Sequence, residues 1–383
     1  MNQPGRVGKV GRRLALVLGG LVVALLVAEG IGRLGAFSRG SDLVFMGPMR
    51  YPKDIYVQNG VMTYPNPRFS GTIQSFGYSV RPTFSAWGTR GAVPRSGERT
   101  WITVGDSFTI ALQVKDNQTF SARLAEAEGV QVLNAGVDGY STWKEALRTV
   151  QLGRHFPPEV VIASFFTGND FFDNRQTVTH TLDNPGLGPG EPGAPEYAIP
   201  VMAFPMRVPS WHERQLERLR NYSVLAAHWW VWKETKRART GMDPNARRFR
   251  DELGLFTAEG QAKAGKDKEK TEEAFRFFKA ATNAVGARGV VAVMPPTFVM
   301  DEETAQATFR SVGLKATPDL DSAQRTAVVA AQAAGLHVCD MLPVLRDAVK
   351  AGEKPYLPFD GHLSVRGHEV VAVALQACIA TVQ

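Results

Sequence analysis

Ser107 stands directly after an apolar run at 100–104 (Thr-Trp-Ile-Thr-Val) and the pair Gly105-Asp106, at the head of a helical pattern. A serine just past the C-terminal end of a strand, behind a glycine that permits a sharp turn, sits where open α/β sheets place their ligand crevice. A hydroxyl there becomes a nucleophile only if an imidazole takes its proton and a carboxylate orients that imidazole. Asp360 and His362 suit these roles, because the single Gly361 between them lets the backbone turn so that both side chains emerge on one side. Charge developing on an attacked carbonyl oxygen also needs aimed donors. Asn169, in Thr167-Gly-Asn-Asp170, offers a side-chain amide just past a third apolar run. Gly139, in Asn134-Ala-Gly-Val-Asp-Gly-Tyr-Ser141, offers a backbone N–H that a substrate can approach closely. Asp106 and Asp170 read as hydrogen-bonding residues that hold these turns, not as acids.

The elements that must carry these residues follow a β-α-β-α pattern from residue 100 onward. Strands are expected at 101–104, 130–133, 160–166, 290–294 and 336–339, with helices over 119–128, 142–154, 271–287 and 320–334 and a last helix opening near 364–368. The run at 160–166 is continuously apolar, which suits a parallel strand buried on both faces. The expected fold is α/β, a doubly wound, five-stranded parallel sheet in three layers. In strand order 2-1-3-4-5, the ends of strands two, one and three bring Gly139, Ser107 and Asn169 side by side at the topological switch point. His368 falls in the first turn of the last helix and reads as a packing or capping residue.

Four blocks in this order, Gly105-Asp-Ser107, the Gly139 stretch, Thr167-Gly-Asn-Asp170 and Asp360-Gly-His362, resemble those of the SGNH (GDSL-type) hydrolase superfamily. The resemblance covers residues 100–170 and about 289 to the C-terminus. It implies a flavodoxin-like sheet in which Ser107 is the nucleophile and donates its own N–H to the oxyanion. Gly139 and Asn169 would complete the oxyanion hole, with His362 the base and Asp360 its partner. Two positions depart from the common pattern: Thr167 replaces a frequent second glycine, and one residue instead of two separates Asp360 from His362. That shorter spacing resembles a subgroup of exported proteins that handle O-acetyl groups in polysaccharide biosynthesis.

The rest of the chain sets the location. Arg6, Lys9, Arg12 and Arg13 supply more than half of the net charge of +7, so the basic balance is a tail property and nucleic acid is not an expected partner. An apolar segment at 14–34 follows this 1–13 tail and reads as an uncleaved transmembrane signal anchor, placing the remainder outside the cytoplasm, in the periplasm of a Gram-negative cell. Residues 35–99 form a linker and small β lead-in, with Asn59-Gly60 as a hairpin turn, and 100–383 form the main domain. An insertion at about 171–265, Pro/Gly-rich and then amphipathic, overhangs the crevice as a cap. Its run at 228–239, aromatic then basic, reads as a packed helix with a solvated end. Cys339 and Cys378 read as two small buried thiols, although an exported location permits a disulfide between them, and no spacing calls for a metal or cofactor.

These features describe a membrane-anchored serine esterase acting on an ester or O-acyl group, above all O-acetyl, of a small molecule or glycan. O-acetyl transfer to an envelope or secreted polysaccharide uses the same machinery. A non-catalytic glycan-binding scaffold is the alternative of a different class.

Overall fold

A strand buried on both faces has no room for alternation, and Pro158–Phe166 obeys this: every residue but Glu159 is buried. The computed structural model describes residues 5–33, 55–59, 62–75, 78–193, 244–357 and 360–381, together with 212, 215, 223–226, 228, 229 and 232. Helix α1 (Gly5–Arg33) precedes two antiparallel hairpins, β1 (Tyr56–Asn59) with β2 (Met62–Pro65) and β3 (Ile73–Ser75) with β4 (Tyr78–Val80). The main domain then runs β5 (Thr100–Gly105), α2 (Ser107–Ile110), α3 (Phe120–Glu128), β6 (Gln131–Asn134), α4 (Thr142–Gly153), β7 (Pro158–Phe166) and α5 (Asp170–Asp173). It continues with α6 (Pro244–Gly254), α7 (Ala258–Lys263), α8 (Gly265–Ala284), β8 (Arg288–Met294), α9 (Glu302–Ser311), α10 (Ser322–Ala333), β9 (His337–Asp340), α11 (Leu342–Lys350) and α12 (Val365–Ala380).

The five strands β5 to β9 are all parallel, in the order β6-β5-β7-β8-β9, which is the expected 2-1-3-4-5. Helices α4, α8 and α10 pack in one layer, and α3, α11 and α12 in the other. Local signals set the helix ends: Thr119 accepts from the Ala122 N–H, Gly129 closes α3 with φ 62°, and Ser364 accepts from the Gly367 N–H to start α12. The buried His368 Nδ1 accepts the Phe120 N–H at 3.2 Å, so it satisfies an orphan donor of α3 from across the layer. Burial, followed by nearby arginines, drives that imidazole's pKa down to about 3, which keeps the acceptor nitrogen unprotonated.

The lead-in packs on the C-terminal edge of the sheet. Ile55, Tyr56, Met62 and Tyr64 share a buried cluster with Ile110, Leu112, Val137 and Tyr140, which lie in the segments that follow β5 and β6. The Arg90 guanidinium, 5% exposed, donates to the carbonyls of Ile110, Ala111 and Val114 and pairs with Asp116 at 2.9 Å. The first hairpin has Asn59 opposite Met62, so Asn59 ends a strand instead of forming the turn with Gly60, which lies outside the described residues.

Gly11–Arg33 is long and apolar enough to cross a membrane, and none of its apolar window is buried. Near its end, Glu29 accepts from the Ser223 hydroxyl at 2.8 Å and from the N–H groups of Val224 and Leu225, so α1 is tied to the insertion. The stretch at 233–239 that carries the basic end of the aromatic run lies outside the described residues.

The cysteines differ from expectation. Cys339 on β9 and Cys378 on α12 form a disulfide, because the last helix packs against the edge strand and brings their Cα atoms to 5.9 Å. The bond closes a span of 39 residues that includes the Asp360-Gly-His362 loop. Replacing both cysteines with serine is expected to lower unfolding free energy by about 2–5 kcal/mol, measured as a lower urea midpoint.

Candidate active site

Ser107 begins α2, and Asp106 caps that helix by accepting the Phe108 N–H at 2.9 Å. Gly105 is required at the preceding position: a Cβ there would lie 2.1 Å from Thr109 Oγ1 and 2.9 Å from the Ser164 Cβ. The strand therefore passes so close to its own following helix that only a bare backbone fits. On the other side of the cleft, the loop before α12 carries Gly361 at φ 78°, and both neighbours turn back toward the sheet.

The two loops meet in one hydrogen-bonded chain. His362 Nε2 lies 2.8 Å from Ser107 Oγ, and His362 Nδ1 hydrogen-bonds Asp360 Oδ1. Tyr78, from the second hairpin, donates its hydroxyl to the other carboxylate oxygen at 2.8 Å. The donor to Asp360 fixes the proton on Nδ1 and leaves Nε2 free to accept from the serine. His362 is 2% exposed and Asp360 6%. Burial alone would discharge both, but the imidazolium's charge and hydrogen bond and the Tyr78 donor hold Asp360 below its ordinary pKa. Conversely, burial disfavours the His362 imidazolium, yet Asp360, aided by Asp138 and Asp106, raises its pKa overall.

Asn169 caps α5, and its Nδ2 donates to Asp173 Oδ2 at 2.8 Å, which leaves the second amide hydrogen for another acceptor. Gly139 is exposed at φ 67° in the loop after β6, whose Val137 N–H bonds the Gly105 carbonyl at 3.0 Å. The ends of β6, β5 and β7 thus bring the Gly139, Ser107 and Asn169 segments to one edge. Asp106 and Asp170 each accept a local backbone N–H, from Phe108 and Phe166 respectively.

Several neighbours have no signature in the sequence. Tyr78 reaches Asp360 from 282 residues away. Arg248 of α6 donates to Asp173 Oδ1 at 2.8 Å and so touches the carboxylate that holds the Asn169 amide. Asp173 was accessible to sequence reasoning, since it stands one helical turn after Asn169. Glu145, on α4, is fully buried and neither carboxylate oxygen has a hydrogen-bond partner among the described residues. Burial, followed by Asp106 and Asp173, pushes its pKa well above the carboxylate range, and burial does the same to Asp170. Burial also raises Asp106 to about 7.

Because the folded pKa of Glu145 exceeds its unfolded value of about 4.3, its contribution to stability is fully present below that value and is lost as pH rises through the folded one. Glu145→Gln keeps the shape without the charge. It is expected to flatten the decline in urea midpoint toward alkaline pH, and a pH–stability curve identical to wild type would contradict this.

Residues 254–383 match the family model described as SGNH hydrolase-like domain, acetyltransferase AlgX. No curated protein sequence matches the chain. Among solved structures, LAE5, an α/β hydrolase from the metagenome of Lake Arreo, is 13% identical over 76% of this chain and 98% of its own, with a TM-score of 0.38. Axe2, an acetylxylan esterase from Geobacillus stearothermophilus, is 14% identical over 74% and 94%, with a TM-score of 0.36. The family match over residues 254–383, together with the parallel sheet and its strand order, supports the resemblance to the SGNH hydrolase superfamily.

Proposed function

We propose that the chain is a membrane-anchored serine esterase that cleaves an ester or O-acyl group, such as O-acetyl, outside the cytoplasm. The observation that carries this reading is the unbroken chain from Ser107 Oγ through His362 to Asp360. Ser107 Oγ attacks the acyl carbonyl as His362 Nε2 takes its proton, and Asp360 stabilises the imidazolium. The Ser107 N–H, the Gly139 N–H and the free hydrogen of the Asn169 amide receive the oxyanion. His362 returns the proton to the leaving alcohol, and the acyl-enzyme is resolved when water attacks with the same imidazole as base. Asp106 and Asp170 hold the turns that present Ser107 and Asn169. The N-terminal helix supports the membrane location, and a disulfide suits an oxidising compartment.

A second reading is favoured by one finding, the match of 254–383 to a domain whose description names an acetyltransferase. If a sugar hydroxyl outcompetes water at the acyl-enzyme, the same residues transfer the group to a polysaccharide. A purely glycan-binding scaffold gains no support, since binding needs no serine–histidine–aspartate chain.

A fluorophosphonate probe is expected to label the wild-type protein and not Ser107→Ala, which should also lose at least about 10³-fold in aryl acetate turnover. Labelling that survives the substitution would sink the serine-esterase reading. Product analysis with an added glycan separates the two arms: free acetate marks hydrolysis, and an acetylated glycan marks transfer.

The pH profile is a further check. The reaction needs the unprotonated imidazole, so kcat/KM should rise with pH through the pKa of His362, at a midpoint above the ordinary histidine value of about 6.5. Asp360→Asn removes the charge that raises that pKa, so the limb should move to lower pH while kcat falls by about 10⁴-fold.

A further inference from the structure

A cavity of about 270 Å³ adjoins the Ser107–His362 pair. Its lining includes Asn169 together with Phe108 and Gly361, the chain neighbours of Ser107 and His362. Its wall is otherwise mainly apolar, built from Phe108, Phe166, Phe249, Leu253, Phe256 and Phe298. Phe108 follows Ser107 directly and stacks on Phe166 at 4.2 Å, while Phe256 meets Phe298 edge-on at 4.8 Å. The polar groups of the wall are largely engaged elsewhere: Arg248 pairs with Glu252 at 2.6 Å and with Asp173 at 2.8 Å.

The size of this space is informative. The space exceeds what the methyl of an acetyl ester, about the size of one water-sized group, would fill. An aromatic wall of this kind can face the C–H surface of a sugar ring but replaces few of the hydrogen bonds that its buried hydroxyls would lose to water. It gains with each methylene that enters, at about fourfold in affinity per group buried. Helix α6 of the insertion supplies Phe249 and Leu253, and Arg248 on the same helix reaches the carboxylate that holds the Asn169 amide. One element therefore shapes the cavity and touches the oxyanion side of the site.

We propose that this cavity binds the acyl chain of the substrate, so that the site takes straight-chain acyl esters of about four to eight carbons in preference to acetyl. The assignment rests on the serine-esterase reading above and refines its acyl group. During attack by Ser107 the chain lies along Phe108 and Phe166, the carbonyl oxygen faces the Asn169 amide, and the alcohol departs on the open side.

The test is a series of p-nitrophenyl esters from acetate to decanoate with the full chain, alongside fluorophosphonate labelling. The expected result is kcat/KM rising by up to about fourfold per methylene to an optimum between butanoate and octanoate. Leu253→Trp, which fills the cavity, should compress the octanoate-to-acetate ratio by at least tenfold. Calorimetry on Ser107→Ala, independent of turnover, should detect octanoate and not acetate. A labelled wild-type protein that prefers acetate, with no octanoate bound by Ser107→Ala, overturns the acyl-chain assignment and leaves the esterase reading standing. Rates that track the alcohol's chain and ignore the acyl chain overturn it equally. Absence of labelling and turnover with every ester overturns both.

Discussion

Burying a carboxylate is among the most costly things a fold does, and the cost is met only when the charge is paired and hydrogen-bonded. Asp360 meets it with three donors: the ring and backbone nitrogens of His362 and the hydroxyl of Tyr78. Each donor constrains a different part of the molecule. The imidazole must face the end of β5, the turn at Gly361 must close, and the second hairpin must lie against the sheet edge. The 55–90 lead-in is thus part of the frame that holds the site, and its apolar residues share a cluster with the segments on either side of Ser107.

The contrast with the other carboxyls at this edge explains how one small region holds both charged and uncharged acids. Asp360 has a cationic partner and falls below its ordinary pKa. Asp106, Glu145 and Asp170 are equally buried, have no basic group hydrogen-bonded to them among the described residues, and rise, through burial first and neighbouring carboxylates second. Asp106 and Asp170 each hold a turn by accepting a backbone N–H, and a raised pKa limits the negative charge they add beneath the place where an oxyanion would form. Ionised, they would oppose it. The arrangement separates the carboxylate that stabilises an imidazolium from those that only shape the backbone.

Much of this was legible in the sequence for identifiable reasons. Parallel strands buried on both faces leave continuous apolar runs, so all five strands could be read from 101–104, 130–133, 160–166, 290–294 and 336–339, whereas their order was a supposition that the sheet bears out. Ser107, Asn169, Asp360 and His362 lie at strand ends or in the loop before α12, where pattern and glycine placement announce them. Tyr78 and Arg248 carry no such mark, because each acts by a contact between segments far apart in the chain. The sequence-based start of the helix at 271 fell short of Gly265–Ala284, since its first turns are polar and lack periodicity. Helix α9 was missed although Asp301 caps it by accepting the Thr304 N–H, a local signal that an apolar-run reading passes over. The disulfide depended on how α12 docks against β9, and no spacing of two cysteines encodes that.

The insertion is the part of the chain with the weakest sequence pattern, yet its helix α6 bonds the carboxylate that holds the Asn169 amide. Arg248 bonds one oxygen of Asp173, and Asn169 bonds the other. A planar carboxylate between two donors transmits orientation: moving the guanidinium turns the carboxylate, and the amide follows. A substrate group that displaces α6 therefore changes the direction of a proposed oxyanion donor as well as the shape of the cavity. If the proposed acyl site holds, selectivity and rate are not independent, because the helix that lines the cavity also bonds the carboxylate holding the Asn169 amide. An insertion of this kind can diverge freely along its polar surface, but at Arg248, Phe249 and Leu253 it is bound by the same geometry as the strand ends.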